Sequence, residues 1–147
     1  MNLKPVLFAM LLVPCLFLAG LQTVSAADWR PAGNSQFDAS RITRVSPSVI
    51  RVWEKAVYPD TMLFQMQKLS GLDYSRYAYS IDLRQVDCKK RLLGGVSGTE
   101  YNRNGSPIHT ETYKKVIMNE VPPGSHGESF VVAVCNYVEK EAKKKKK

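Results

Sequence analysis

The sequence predicts an α+β domain: a small antiparallel β-sheet packed by a C-terminal α-helix, with one disulfide. Three observations predict it. Residues 77–88 alternate side-chain character with the period of a strand, and flanking segments rich in β-branched and aromatic residues read as its neighbours. Residues 122–140 carry a helix start signal followed by apolar residues at helical spacing. One cysteine falls at the end of the alternating strand and another on the helix, Cys88 and Cys135.

The chain has 147 residues, a formal net charge of +8, 44% apolar and 23% charged residues. That composition excludes a disordered chain, a multi-span membrane protein and a large multidomain enzyme. Residues 1–26 read as a secretory signal peptide: Lys4 supplies positive charge, Val6 to Ala19 is an apolar run broken by Pro14, and Val24-Ser25-Ala26 offers a small-residue cleavage site. The run is too short for a comfortable membrane span, so no transmembrane segment is expected after cleavage. Cys15 leaves with this segment; Pro14 precedes it and no small-residue lipobox does. What remains is one domain, 27–140, and a Lys-rich tail, 141–147, expected to be disordered. Five of the 21 basic residues are Lys143 to Lys147, so the basic character belongs largely to this tail.

Within the domain, residues 28–48 are short extended pieces around Trp29 and Phe37, punctuated by Pro31, Gly33 and Ser46-Pro47-Ser48. Val49 to Trp53 reads as a strand, ended by Tyr58-Pro59-Asp60. Residues 61–70 are open to two readings: Met62, Met66 and Leu69 fit a helical face, and Met62, Phe64 and Met66 fit a strand face. In 77–88, Tyr77, Tyr79, Ile81 and Leu83 share one face, expected to be the core face. The apolar phase then passes to Val86 and Cys88, which predicts a bulge near Arg84-Gln85. Leu92 to Tyr101 is the next strand, with Gly94, Gly95 and Gly98 permitting curvature. Asn102-Arg103-Asn104-Gly105 signals a hairpin, and Pro107 to Met118 is its return strand. Pro122-Pro123-Gly124 then stops the strand, and Ser125 with Glu128 forms a capping box. Phe130, Val131, Val134, Cys135 and Val138 fall within an arc of about 140° at 100° per residue, the face that should meet the sheet.

Two cysteines remaining in an exported chain favour a disulfide, Cys88 to Cys135, worth about 4 kcal/mol by loop-closure entropy. A catalytic thiol is not expected in an oxidising compartment.

These pieces together resemble the bacterial surface-adhesin protein E family. The resemblance begins at Trp29 and runs through Phe37-Asp38, Ser40-Arg41-Ile42 and Val49-Ile50-Arg51-Val52-Trp53-Glu54-Lys55. It continues at Asp87-Cys88-Lys89, at Tyr101 with Gly105, at Pro123-Gly124-Ser125 and at Val134-Cys135. The chain departs from the family pattern in lacking a tryptophan before Pro123-Gly124-Ser125, and in its lysine tail. The resemblance implies an antiparallel sheet with a packed C-terminal helix and one disulfide. It also implies an exported, non-enzymatic adhesive protein whose partners are extracellular-matrix or serum proteins.

The candidate binding residues are basic. Lys143, Lys144, Lys145, Lys146 and Lys147 suit an anionic surface macromolecule, or form a solvated tail. Lys89, Lys90 and Arg91, with Arg84 and Arg103, suit a basic patch on a sheet edge, or protect that edge from pairing. Trp53, Tyr74, Tyr77 and Tyr79 are core residues or a recognition surface, and the alternation favours core. His109 and His126 lack companions at metal-ligand spacing. Ser125 beside His126 lacks a nucleophile elbow and an orienting acid, and capping explains it better. No catalytic residue, cofactor or metal is therefore expected. The expected function is an exported, non-enzymatic, adhesin-like binding module of a Gram-negative bacterium, at the cell surface or in the periplasm. Its partner would be a protein or an anionic surface macromolecule, not nucleic acid, and homodimerisation through a strand edge is compatible with it. The alternative is a soluble periplasmic accessory protein that binds an envelope component.

Overall fold

In a computed structural model, residues 26–146 are described, so all but the last residue of the expected signal peptide lies outside them. Eight strands build one antiparallel sheet: β1 (Trp29–Ala32), β2 (Ser35–Asp38), β3 (Thr43–Arg44), β4 (Val49–Ala56), β5 (Tyr77–Asp87), β6 (Leu92–Asn102), β7 (Pro107–Thr112) and β8 (Asn119–Glu120). Six run in the order β1-β2-β4-β5-β6-β7, and the two-residue strands β3 and β8 add to β4 and β6. Among the described residues, two α-helices complete the fold, α1 (Asp60–Ser70) and α2 (His126–Lys144).

The core lies between one sheet face and α2. Ile50 and Val52 of β4, Val86 of β5 and Leu93 of β6 meet Phe130, Val131 and Val134 of α2. Burial strictly alternates along β4, which fixes its register: Ile50, Val52, Glu54 and Ala56 point inward. The disulfide joins Cys88, just beyond β5, to Cys135 on α2.

The face expected for β5 is the reverse of the one observed. Glu54 pairs with Asp82 and Ala56 with Ser80, so Ser80 and Asp82 occupy the core face, and both are buried. Tyr79, Ile81 and Leu83 occupy the opposite face. Tyr77 does lie inside, because the register slips between Tyr77 and Tyr79 and turns it over. The predicted irregularity near Arg84 is present, but β6 bears it: Leu83 pairs with Ser97 and Arg84 with Gly95, leaving Val96 as the extra residue. Pairing of β5 with β4 continues unbroken there, so the strand does not turn over: its apolar residues pass from the opposite face at Leu83 to the core face at Val86, under α2.

The segment read two ways, 61–70, is a helix. Pro59 stands at its start, and Gly71, at φ 72°, closes its end with a backbone bond to Gln67. None of its residues is buried. The return strand is shorter than expected and ends at Thr112. Beyond it Tyr113 lays its ring against Gly95, and the chain rejoins β6 as β8. Helix α2 continues to Lys144, so the expected disordered tail begins as its last turn.

Candidate functional site

The predicted basic residues separate into distinct places. Asp87 caps the turn after β5 by accepting from the Lys89 and Lys90 amides, at 3.0 and 3.1 Å. The following Arg91 takes a left-handed φ of 55°. Lys89 and Arg91 line a groove of about 450 Å³ beside the disulfide, with Arg44, Asn136 and Glu139. Lys143 pairs with Glu139 and Lys144 with Glu141, each at 2.6 Å, so two lysines of the run are already neutralised. Arg84 and Arg103 do not join this corner. Arg103 lies in the β6–β7 turn, its amide bonded to Arg76 at the far end of β5. Arg84 points into the core face.

There Arg84 belongs to a cluster that sequence reasoning missed. Glu54, 3% exposed, sits between the apolar core and the second polar layer. Its Oε1 accepts from Ser35 Oγ at 2.9 Å and contacts His126 Nε2 at 2.7 Å, while Oε2 faces Arg84 Nε at 3.2 Å. Donation of a hydrogen bond to Glu54 raises the pKa of His126 against the opposing effect of its partial burial. A findable signal existed: an acid in the inward register of β4 must have partners, because an unpaired buried carboxylate is costly. Next in the same layer, Asp82 accepts from Tyr58 at 2.9 Å and Ser80 at 3.2 Å, and burial holds its pKa up.

Arg84 and His126 also line a cavity of about 540 Å³, with Leu93, Tyr113, Lys115 and Val121. Ser125 stands at its rim, but its Oγ accepts from the Glu128 amide at 3.1 Å as the α2 N-cap. Glu128 answers by accepting from the Gly124 amide at 2.7 Å. The imidazole of His126 is turned to Glu54, so Ser125 and His126 do not form a nucleophile and base.

The opposite sheet face is covered by neither helix: α2 packs on the core face, and α1 buries no residue. Register places Arg51, Trp53 and Lys55 of β4 beside Gln85, Leu83 and Ile81 of β5 on it. Tyr79 and Tyr101 are paired there too, their rings stacked at 5.1 Å. Lys55 Nζ stands 4.6 Å over the Tyr79 ring, and Arg51 Nε donates to Gln85 at 3.0 Å. All are half-buried, and Gln85 also meets Met118, whose segment lies over Gly94. The open face of an antiparallel sheet is ordinarily polar; this one is aromatic and aliphatic, with cations.

Residues 29–136 match the family model described as surface-adhesin protein E. The chain belongs to the surface-adhesin protein E family. This is the resemblance that its scattered motifs carry, and it makes the chain a member of a family of bacterial surface adhesins. Among solved structures, it is similar to Haemophilus influenzae protein E in crystal form II, at 17% identity and a TM-score of 0.46 over 71% of this chain and 83% of that one. A structure of protein E from non-typeable Haemophilus influenzae matches at 16% identity and a TM-score of 0.48, covering 80% of this chain and 82% of that one. No curated protein matches. Among the described residues, no helix is long and apolar enough to cross a membrane.

Proposed function

We propose that this member of the protein E family is a non-enzymatic adhesin, exported through its N-terminal segment and displayed on the surface of a Gram-negative bacterium, where it binds an extracellular macromolecule. One observation carries the reading: a sheet face of half-buried rings and cations is covered by no helix, with residues 116–118 lying over it at Gly94. Trp, Tyr and Arg are the residues that most often dominate binding energy, and Trp53, Tyr79, Tyr101 and Arg51 are gathered there on rigid strands. The corner residues Lys89, Lys90 and Arg91, and Lys145 and Lys146, which have no ion pair among the described residues, add a positive field that speeds encounter with anionic surfaces.

Protease treatment of intact cells, with a lysed-cell control and an antibody against the folded domain, tests this reading. Cleavage on intact cells is expected. Protection until lysis would overturn surface display and place the protein in the periplasm with an envelope partner.

A further inference from the structure

The acids of the central strands are sorted by face. Glu54, Asp82, Glu100 and Glu111 all fall on the core-side face. On the uncovered face the free charges of these strands are cations, Arg51 and Lys55. Asp87, at the strand end, is buried and spent on the Lys89 and Lys90 amides. Arg51 uses only its Nε, on Gln85, which leaves both terminal amino groups for an anion. Arg51 and Lys55 are four residues apart on one strand, about 13 Å at the rise of a β-strand. Trp53 lies between them.

The other half of the face is built of hydroxyls. Ser97 and Thr99 of β6 stand opposite Thr112 and Thr110 of β7, and the Thr99 and Thr110 hydroxyls lie 3.1 Å apart. This composition discriminates among occupants. A second copy would set Arg51 and Lys55 against their own kind. A protein partner favours surfaces poor in Ser and Thr at the energetic centre. Rings, hydroxyls and spaced cations, with no free carboxylate on this face of β4 to β7 and Glu120 at the β8 corner opposite Leu92, fit a ligand that is polyhydroxylated and polyanionic.

We propose that the uncovered face binds an acidic polysaccharide. Sulfate or carboxylate groups sit on Arg51 and Lys55, the C–H faces of sugar rings lie against Trp53 and the Tyr79–Tyr101 pair, and sugar hydroxyls bond to Thr99 and Thr110. This inference rests on the binding-module reading above and narrows it to one face and one ligand class.

The test is calorimetric titration of the exported, disulfide-bonded chain in 150 mM salt with three probes: heparin, hyaluronate and uncharged dextran. Heparin separates sulfate from the carboxylate of hyaluronate, and dextran removes the charge. The expected result is binding to at least one acidic probe and none to dextran. The double variant Arg51→Glu, Lys55→Glu should weaken binding at least tenfold. Replacing Lys89, Lys90 and Arg91 by Ser, or ending the chain at Lys144, should weaken binding less than the face variant does, because those residues speed encounter and do not hold the ligand. In a Trp29→Phe background, the emission of Trp53 should shift on binding. If circular dichroism shows the double variant misfolded, Lys55→Ala and Thr99→Glu replace it, with the same loss expected. Undiminished binding in a folded face variant, loss confined to the corner or tail variants, or equal binding to dextran would each overturn the proposal. Absence of binding to both acidic probes would overturn it too, while cleavage on intact cells would still uphold the adhesin. Binding through this face by a protein shielded until lysis would do the reverse.

Discussion

Glu54 is held by side chains from three segments of the chain: Ser35 of β2, Arg84 of β5 and His126 at the start of α2. Its carboxylate therefore ties the first turn of the helix to the middle of the sheet. Removing one partner of a buried ion pair leaves the others uncompensated, so Glu54→Ala should cost about 3–5 kcal/mol in urea denaturation. The same contact makes stability depend on pH. Glu54 raises the pKa of His126 in the folded chain. The protonated imidazole is thus favoured by folding, and its contribution is fully present below the unfolded pKa of about 6.5. It fades as pH rises through the higher folded value. Arg84 opposes the protonated form, and Lys115 and Glu120 face the same cavity without touching the ring. Denaturation midpoints should therefore fall between pH 6 and 8, and His126→Gln should flatten that slope. Burial also raises the pKa of Asp82, which gives a slope of the same sign, and the difference between the native chain and His126→Gln isolates the imidazole's share.

At the scale of the element, the sequence showed what forms more clearly than which way it faces. Strand alternation over 77–88, the Asn102–Gly105 turn and the Ser125–Glu128 start of α2 were all legible, because each depends on local backbone chemistry. Gly105 takes φ 82°, as an Asn-Gly turn requires. The facing of β5 was not legible. Apolar content pointed to Tyr79, Ile81 and Leu83, yet register against Glu54 and Ala56 put Ser80 and Asp82 inside. Their burial depends on Tyr58, which arrives from a loop 24 residues earlier than Asp82. No periodicity within one strand reports such a partner. The two readings of 61–70 stayed open for a related reason: α1 buries no side chain, so no core selected its apolar phase. The α2 cap is a local device, and its removal should be a local cost. Ser125→Ala should lower stability by about 1 kcal/mol, with Glu128→Ala smaller, measured by thermal or urea unfolding.

For the whole molecule, the sheet is one-sided: α2 covers one face and no helix covers the other. A single helix must then hold its place against a broad sheet, and it is fixed at two points. Its first turn is held by Glu54 through His126, and its middle by Cys88 through Cys135. The bridge spans 47 residues of sequence, a loop that includes β6, β7 and β8. Closing a loop of that size removes unfolded-state entropy worth about 4 kcal/mol, a large share of the 5–15 kcal/mol typical of a domain. Cys88→Ser with Cys135→Ser should therefore lower the urea midpoint sharply without changing the face that carries Trp53. The two fixtures act on different states: the disulfide constrains the unfolded chain, and the Glu54 cluster acts in the folded one. Loss of the bridge should thus be nearly independent of pH, while the His126 contribution keeps its slope between pH 6 and 8. Denaturation of the double-serine variant across that range checks this. A slope that vanished with the bridge would mean that the disulfide alone brings His126 to Glu54, and that the two fixtures are one.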